Sequence, residues 1–484
     1  MANEIECALL GIDVGTSGTR ALSVGPAGKL LAEAEAPIRH DHRAAGGIHE
    51  QDPDEWWQAV CSVAQRIAQN LKEEPGKAEL RGVAVTSTSG TLVVADALGR
   101  TLRPAILYDD GRGVEIAAEL NQQGGPQSAR LGPSFSLVKA AWVKRHEPEL
   151  WERTRYILSP SDWLCGKLTG EFGISDFTNA LKLGYEPESA SWIESVRTAG
   201  LPADRLPAVR RPGQPIGQVS KAVAAETGLP AGLPVLAGAT DGMASVIASG
   251  ASACGDANTT LGTTLVWKVL HNGKPAAHAG VYFHLHPGGL WVPGAASNTG
   301  LGSIRRPDAL PGDSPAEMDR LAASFLPTPV VCYMLSGEGE RFPFAHPKAE
   351  SFVEGNPRDA AESYAAQLQS IAFVERWGYE ILEGCGVRVG DAVFSTGAAA
   401  KSPVLSQLRA NVLGKTVVLP RYPTAAFGAA ILAATGSVFA GNIFEAIQSM
   451  TSIVESYPPS VELVPAFAAV YRSFRDACAR RGYL

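Results

Sequence analysis

The chain has 484 residues, 45% hydrophobic and 19% charged, with 51 Gly and 33 Pro. This is the make-up of a globular protein with, at roughly 150 residues each, two to four domains; it disfavours disorder, collagen and coiled coil. The formal charge is −7, from 42 Lys and Arg against 49 Asp and Glu, and no basic run of five or more traces a phosphate backbone, so nucleic acid is not an expected partner.

The seven cysteines, Cys7, Cys61, Cys165, Cys254, Cys332, Cys385 and Cys478, are scattered and never form a CxxC pair. They argue against a disulfide framework and a zinc knuckle and fit a reducing, cytoplasmic setting. The opening MANEIECALLGID lacks the basic start and the long apolar stretch of a signal peptide.

In chain order, Cys7-Ala-Leu-Leu-Gly-Ile12 is an apolar run of strand length. The turn residues Asp13-Val-Gly15-Thr16-Ser17-Gly18 follow at once, and Thr19 to Val24 resumes β character. With Gly25 to Lys29 as a second loop before Leu30 to Ala34, the start reads as a β-meander. Asp52-Pro53-Asp54-Glu55 supplies an N-cap, a first-turn proline and an acid at N3. Trp56, Trp57, Val60, Cys61, Ala64, Ile67, Ala68 and Leu71 then recur at helical spacing, which predicts an amphipathic helix of about five turns. Leu80 to Val85 returns to strand, runs into Thr86 to Gly90, and Thr91 to Asp96 is expected to continue it. Strands alternating with helices indicate an α/β architecture.

Further on, the apolar run Val235 to Ala239 leads into Thr240-Asp241-Gly242 and then Met243 to Ser249, a strand-to-helix junction. The Gly- and Ala-rich stretch from Gly238 to Gly255 suits a boundary, which divides the chain into 1–248 and 249–484. Thr259 to Lys268 contains Leu261-Gly262-Thr263-Thr264, a small-hydroxyl turn entering a strand that echoes the first one half a chain later. The strand Ala392 to Phe394 precedes the loop Ser395-Thr396-Gly397-Ala398-Ala399-Ala400-Lys401-Ser402 and a helix near Pro403. Tyr422 to Phe444 has no charge, yet its Gly, Pro and Ala content reads as a close-packed helix and loop, so no membrane segment is expected.

The Asp13 to Gly18 turn has the parts a nucleotide phosphate needs: glycines for close backbone approach, hydroxyl donors, and a carboxylate for Mg²⁺. The six residues read equally well as an ordinary Gly-rich turn, and the repeat at Gly262-Thr263-Thr264 favours the phosphate reading. The Ser395 to Ser402 loop would let a flat base lie against backbone, although tight helix–strand packing explains it as well. Asp241 could take a proton from a sugar hydroxyl; locally, an N-cap is the simpler account. The nine histidines form no metal-ligand spacing, and P-loop, Rossmann and GxSxG patterns are missing.

With Asp13-Val-Gly-Thr-Ser17, Thr240-Asp241-Gly242, Leu261-Gly-Thr-Thr264 and Gly397-Ala-Ala-Ala-Lys401 in this order, the chain resembles the FGGY family of carbohydrate kinases. Ser134-Phe-Ser136-Leu-Val-Lys139-Ala-Ala-Trp142-Val is similar to that family's first signature, with Ala140 where a larger apolar residue is usual. The resemblance implies two actin-like (ribonuclease H-like) domains, each a mixed sheet flanked by helices, with a cleft where ATP phosphorylates a sugar or polyol. It makes Asp241 the catalytic base and Asp13 the second catalytic acid, near Mg²⁺ and the transferred phosphoryl. Thr16, Ser17, Gly262 and Thr263 become phosphate contacts. Gly397, Ala398 and Lys401 become the adenosine loop, which in the family usually carries more glycine. A small-molecule sugar is the expected partner, and the chain a monomer or homodimer.

Thr88-Ser89-Gly90-Thr91 stands where xylulokinases usually show Gln-Met-His-Gly and is similar to the Thr-Ser-Gly-Thr of D-ribulose kinases. Asn179 to Tyr185, Ala296 to Asn298 and Gly339 to Pro343 resemble that subgroup too, whereas His49 to Trp57 is similar to the xylulokinase pattern. Thr88 and Ser89, expected together with Asp13 and Asp241 against the sugar, make D-ribulose the leading substrate, giving D-ribulose 5-phosphate, with D-xylulose as runner-up. An actin-like ATPase or a non-catalytic sugar-binding relative is the alternative from another class.

Overall fold

The computed structural model describes residues 6–73, 78–123, 130–307 and 314–484. It divides into two units: the chain through Ala248 together with Thr424–Met450, and Ser249–Pro423 together with Thr451–Leu484. Each is a mixed sheet flanked by helices.

In the first unit, β1 (Glu6–Val14), β2 (Gly18–Val24) and β3 (Leu30–Pro37) form an antiparallel meander. β4 (Ala78–Ser87) pairs parallel to β1; β5 (Pro215–Gln218) and β6 (Pro234–Leu236) complete the order β5-β6-β4-β1-β2-β3, with β6 parallel to β4. β1 is apolar from Cys7 to Ile12 because both faces are covered. Ala8, Leu10, Ile12 and Val14 join Trp56, Val60, Ala64 and Ile67 of the Pro53–Glu73 helix in one core. The opposite face, which carries Gly11, lies under the Ala425–Ser437 helix. A Cβ at Gly11 would stand 2.0 Å from the Ala426 carbonyl oxygen, so only glycine permits this approach.

This helix is the uncharged stretch of the sequence, and its position departs from the expected division at 248/249, because Thr424–Met450 returns to the first unit. Small, uncharged residues suit it because it is enclosed: Gly428 approaches the Asp241–Ala248 helix so closely that a Cβ would sit 2.0 Å from the Ala244 carbonyl oxygen. Among the described residues no helix is long and apolar enough to cross a membrane.

A second difference lies after β4. Thr91 to Asp96 does not continue that strand; Val93–Ala95 pairs with Tyr156–Leu158 in a separate two-stranded sheet. The break is at Gly90, whose φ of 85° places it in the left-handed region against the Ser134 carbonyl.

In the second unit, β7 (Ala257–Leu261) and β8 (Leu265–Val269) form a hairpin. With β9 (Tyr282–Leu285), β10 (Trp291–Ser297), β11 (Ala392–Thr396), β12 (Thr416–Pro420) and β13 (Ile453–Tyr457) the sheet order is β9-β10-β8-β7-β11-β12-β13. β11 runs parallel to β7, as β4 does to β1, so both units set a hairpin beside a parallel strand. The core packs Trp267 with Leu368, Phe373 and Trp377 of the Ala360–Gly384 helix and Phe467 and Phe474 of the Val464–Ala479 helix.

Candidate active site

In the first unit, three neighbouring strands run parallel and end on the same edge of the sheet. Asp13 on β1 pairs with Thr86 on β4 and Val14 with Ser87, so Thr88 and Ser89 leave β4 beside the Asp13 turn. On the other side of β4, Leu236 of β6 pairs with Ala84, and beyond the strand Thr240 forms a bridge with Ser87. Asp13, Thr88, Ser89 and Asp241 therefore emerge from adjacent carboxyl ends of one sheet, the edge where α/β proteins gather ligand-binding groups.

Asp13 is strongly perturbed. Burial pushes its pKa up to about 7, the negative charge of Asp241 pushes the same way, and Arg20 opposes both. Its Oδ1 is buried and has no hydrogen-bond partner among the described residues. A carboxylate oxygen desolvated without a donor, beside a second carboxylate, has the need that a bound cation fills. Among the described residues no group of three or more His, Cys, Asp and Glu is placed to hold a metal, so such an ion would draw its other ligands from water and phosphate, as Mg²⁺ does in phosphoryl-transfer sites.

The turn after Asp13 is closed by the Gly15 N–H, which donates to the Gly18 carbonyl at 3.0 Å. Thr16 is half-buried and Ser17 exposed. Gln51 holds this turn from behind: its Nε2 donates to the Thr16 carbonyl at 2.7 Å, and its Oε1 accepts from the Trp56 indole at 3.0 Å. Trp56 is thus core, as its spacing predicts, and also the anchor of Gln51, which the sequence reading did not single out.

Asp241 is the first residue of its helix, and Thr240 occupies the cap: the Met243 N–H meets the Thr240 hydroxyl at 3.4 Å and its carbonyl at 3.0 Å. The simple cap account of Asp241 therefore falls to its neighbour. Lys182 was also missed. Its Nζ lies 3.4 Å from the Ser89 carbonyl, burial depresses its pKa, and the charge of Asp241 opposes that shift. Thr88 Oγ1 lies 3.1 Å from Thr91 Oγ1. Below this loop, the fully buried Lys139 donates to the Gly90 carbonyl at 2.7 Å. A lysine within Ser134 to Val143, among apolar residues at helical spacing, was the available signal for a buried cation.

In the second unit, Gly262 and Thr263 directly follow β7, and Gly397 directly follows the adjacent, parallel β11. The Leu301 and Gly302 N–H groups donate to the Gly262 and Thr263 carbonyls at 2.8 and 3.1 Å, and Thr263 itself is exposed. Gly397, at φ 88°, passes so close to β7 that a Cβ would stand 2.6 Å from the Leu261 carbonyl oxygen. Ala398–Lys401 then form a 3-10 turn with Ala398 and Lys401 exposed and Ala399 buried. Both strands are fixed underneath. Arg409, fully buried, holds Glu375 at 2.6 and 2.7 Å and donates to the Ser395 hydroxyl of β11 at 2.5 Å. Thr259 of β7 donates to the same Glu375 at 2.6 Å.

Two family models cover most of the chain. The N-terminal domain of the FGGY family of carbohydrate kinases matches residues 8–248 and its C-terminal domain matches residues 252–437. The chain is 26% identical to the xylulose kinase of Escherichia coli K12, over 96% of this chain and 97% of that protein. The xylulose kinase of Rhodospirillum rubrum superposes with a TM-score of 0.85 at 25% identity, covering 98% of each chain. A xyloylose kinase from Brucella ovis superposes at 0.88 with 24% identity over 98% of this chain and 99% of that one. The chain belongs to the FGGY family of carbohydrate kinases.

Proposed function

We propose that this kinase phosphorylates a pentulose, D-xylulose ahead of D-ribulose, at its 5-hydroxyl, with Asp241 as general base. As an FGGY kinase it uses ATP with Mg²⁺, which supply the phosphoryl group and neutralise the charge that develops on it. The single observation that carries the reading is the placement of Asp13, Thr88, Ser89 and Asp241 at adjacent ends of β1, β4 and β6.

Asp241 accepts the proton of the sugar hydroxyl, a role that needs a carboxylate within hydrogen-bond reach and no covalent nucleophile. Thr88 and Ser89 contact the sugar, and Lys182 places a cation on the same side. Asp13, whose buried Oδ1 meets no donor among the described residues, would hold the metal. Thr16 and Ser17 in the first unit and Gly262 and Thr263 in the second serve the phosphates. Gly397, Ala398 and Lys401 serve the adenosine, and since Ala399 is turned into the core it takes no space from that loop.

The order of substrates reverses the one drawn from sequence. The relatives named as xylulose kinases cover nearly the whole chain, whereas D-ribulose rests on a few short stretches, Thr88 and Ser89 foremost. These two residues are the observation that keeps D-ribulose as a second reading. ADP release with Mg·ATP, measured without sugar and with D-xylulose, D-ribulose, L-ribulose or glycerol, separates them. The greatest stimulation is expected with D-xylulose. A stronger response to D-ribulose would favour the second reading, and release that no sugar stimulates would contradict both.

A further inference from the structure

A buried chain of hydrogen bonds lies behind Asp241, and the proposed reaction does not by itself account for it. Asp176 caps the short helix Phe177–Ala180, accepting from the Thr178 and Asn179 N–H groups at 2.7 and 3.1 Å. Capping explains those two contacts. It does not explain that the Thr178 hydroxyl also donates to Asp176 Oδ1 at 2.5 Å, while its oxygen accepts from the Thr240 N–H at 2.9 Å, 62 residues away. The Asn179 amide extends the chain, donating to Asp176 Oδ2 at 2.6 Å and to the Ser161 hydroxyl at 3.1 Å. The Ser161 N–H donates to Ser87 Oγ at 3.0 Å, and Ser87 is bridged to Thr240. The ring thus closes on the two backbone points from which Thr88 and Asp241 leave the sheet, and every residue in it is buried.

We propose that Asp176 and Thr178 are positioning residues for phosphoryl transfer: the Asp176 carboxylate orients the Thr178 hydroxyl, and that hydroxyl fixes the peptide that carries Asp241. The inference rests on the reading of Asp241 as base. β6 ends at Leu236, so the segment up to Asp241 has little ladder of its own, and the Thr178 contact replaces it. A base displaced by about an ångström can lose about a hundredfold in rate, so a contact one residue away acts on turnover more than on sugar binding.

The test compares kcat and sugar KM for the wild type, Thr178→Val, Thr178→Ser and Asp176→Asn, with Asp241→Asn as reference. Valine keeps the shape and removes the hydroxyl; serine restores it. Thr178→Val is expected to lower kcat at least tenfold with KM within threefold, and Thr178→Ser to return kcat to within threefold of wild type. Asp176→Asn, which keeps the volume, carries the same expectation as Thr178→Val should the valine protein fail to fold. A folded Thr178→Val enzyme with wild-type kcat would overturn the proposal, as would a loss that serine does not rescue or one that appears equally in KM. Failure of the underlying reading has a different signature, namely wild-type turnover in Asp241→Asn.

Discussion

Burial, and after it the negative charge of Asp241, raise the cost of ionising Asp13. This arrangement is unfavourable in the isolated protein and suits a cation. Asp13→Asn is expected to raise the Mg²⁺ concentration for half-maximal rate about tenfold or more while leaving sugar binding within a few-fold, as read from Mg²⁺ titrations of ADP release and from sugar calorimetry. An unchanged Mg²⁺ dependence would remove Asp13 from the metal site. Lys139 gives a separate expectation. Burial, aided by the charge of Lys182, lowers its pKa from 10.5 to about 7. Between those values the unfolded chain binds one proton more than the folded one, so this group makes stability rise with pH from about 7 towards 10. Lys139→Met is expected to flatten that rise in melting temperatures taken at pH 6.5 and 9.5; an unaltered slope would contradict the assignment. At this scale Asp13 and Asp241 could be singled out in the sequence because each stands where an apolar run gives way to a small-residue turn or a helix start. Lys182, Gln51, Asp176 and Thr178 were not, because their partners lie far along the chain and no local spacing reveals them.

The elements that carry the site owe their closeness to missing side chains. Gly11 and Gly428 bring the Ala425–Ser437 helix into backbone contact with β1 on one side and with the Asp241–Ala248 helix on the other. An added methyl at Gly11 meets backbone atoms of Ala426 and Ala430, at 2.0 and 2.3 Å, which cannot rotate away. Gly11→Ala is therefore expected to cost roughly 3 kcal/mol, the upper range of overpacking, measured by urea denaturation; a wild-type midpoint would contradict the packing. The opening meander was readable from apolar runs broken by Gly-rich turns, and the Pro53–Glu73 helix from its period-3.6 apolar pattern. The end of β4 was not, since Gly90 turns the chain while the apolar pattern runs on into Val93–Ala95. The uncharged stretch was recognisable as a close-packed helix, but its partner sheet was not, because composition states that a helix is enclosed and not by what.

On the scale of the molecule, the repeated hairpin with a parallel strand beside it explains why two similar turns, at Gly15 and at Gly262, recur half a chain apart: each ends the first strand of its own sheet. The return of Thr424–Met450 to the first unit escaped the sequence because chain order is a poor guide to which core a helix joins. The central claim is that Asp241 activates a pentulose hydroxyl, and ADP release with and without D-xylulose, for the wild type and for Asp241→Asn, tests it most directly. D-xylulose is expected to stimulate the wild type strongly, and Asp241→Asn to lose about 10²- to 10⁴-fold of that stimulated rate, the usual contribution of a general base. Equal stimulated rates in the two proteins would contradict the claim.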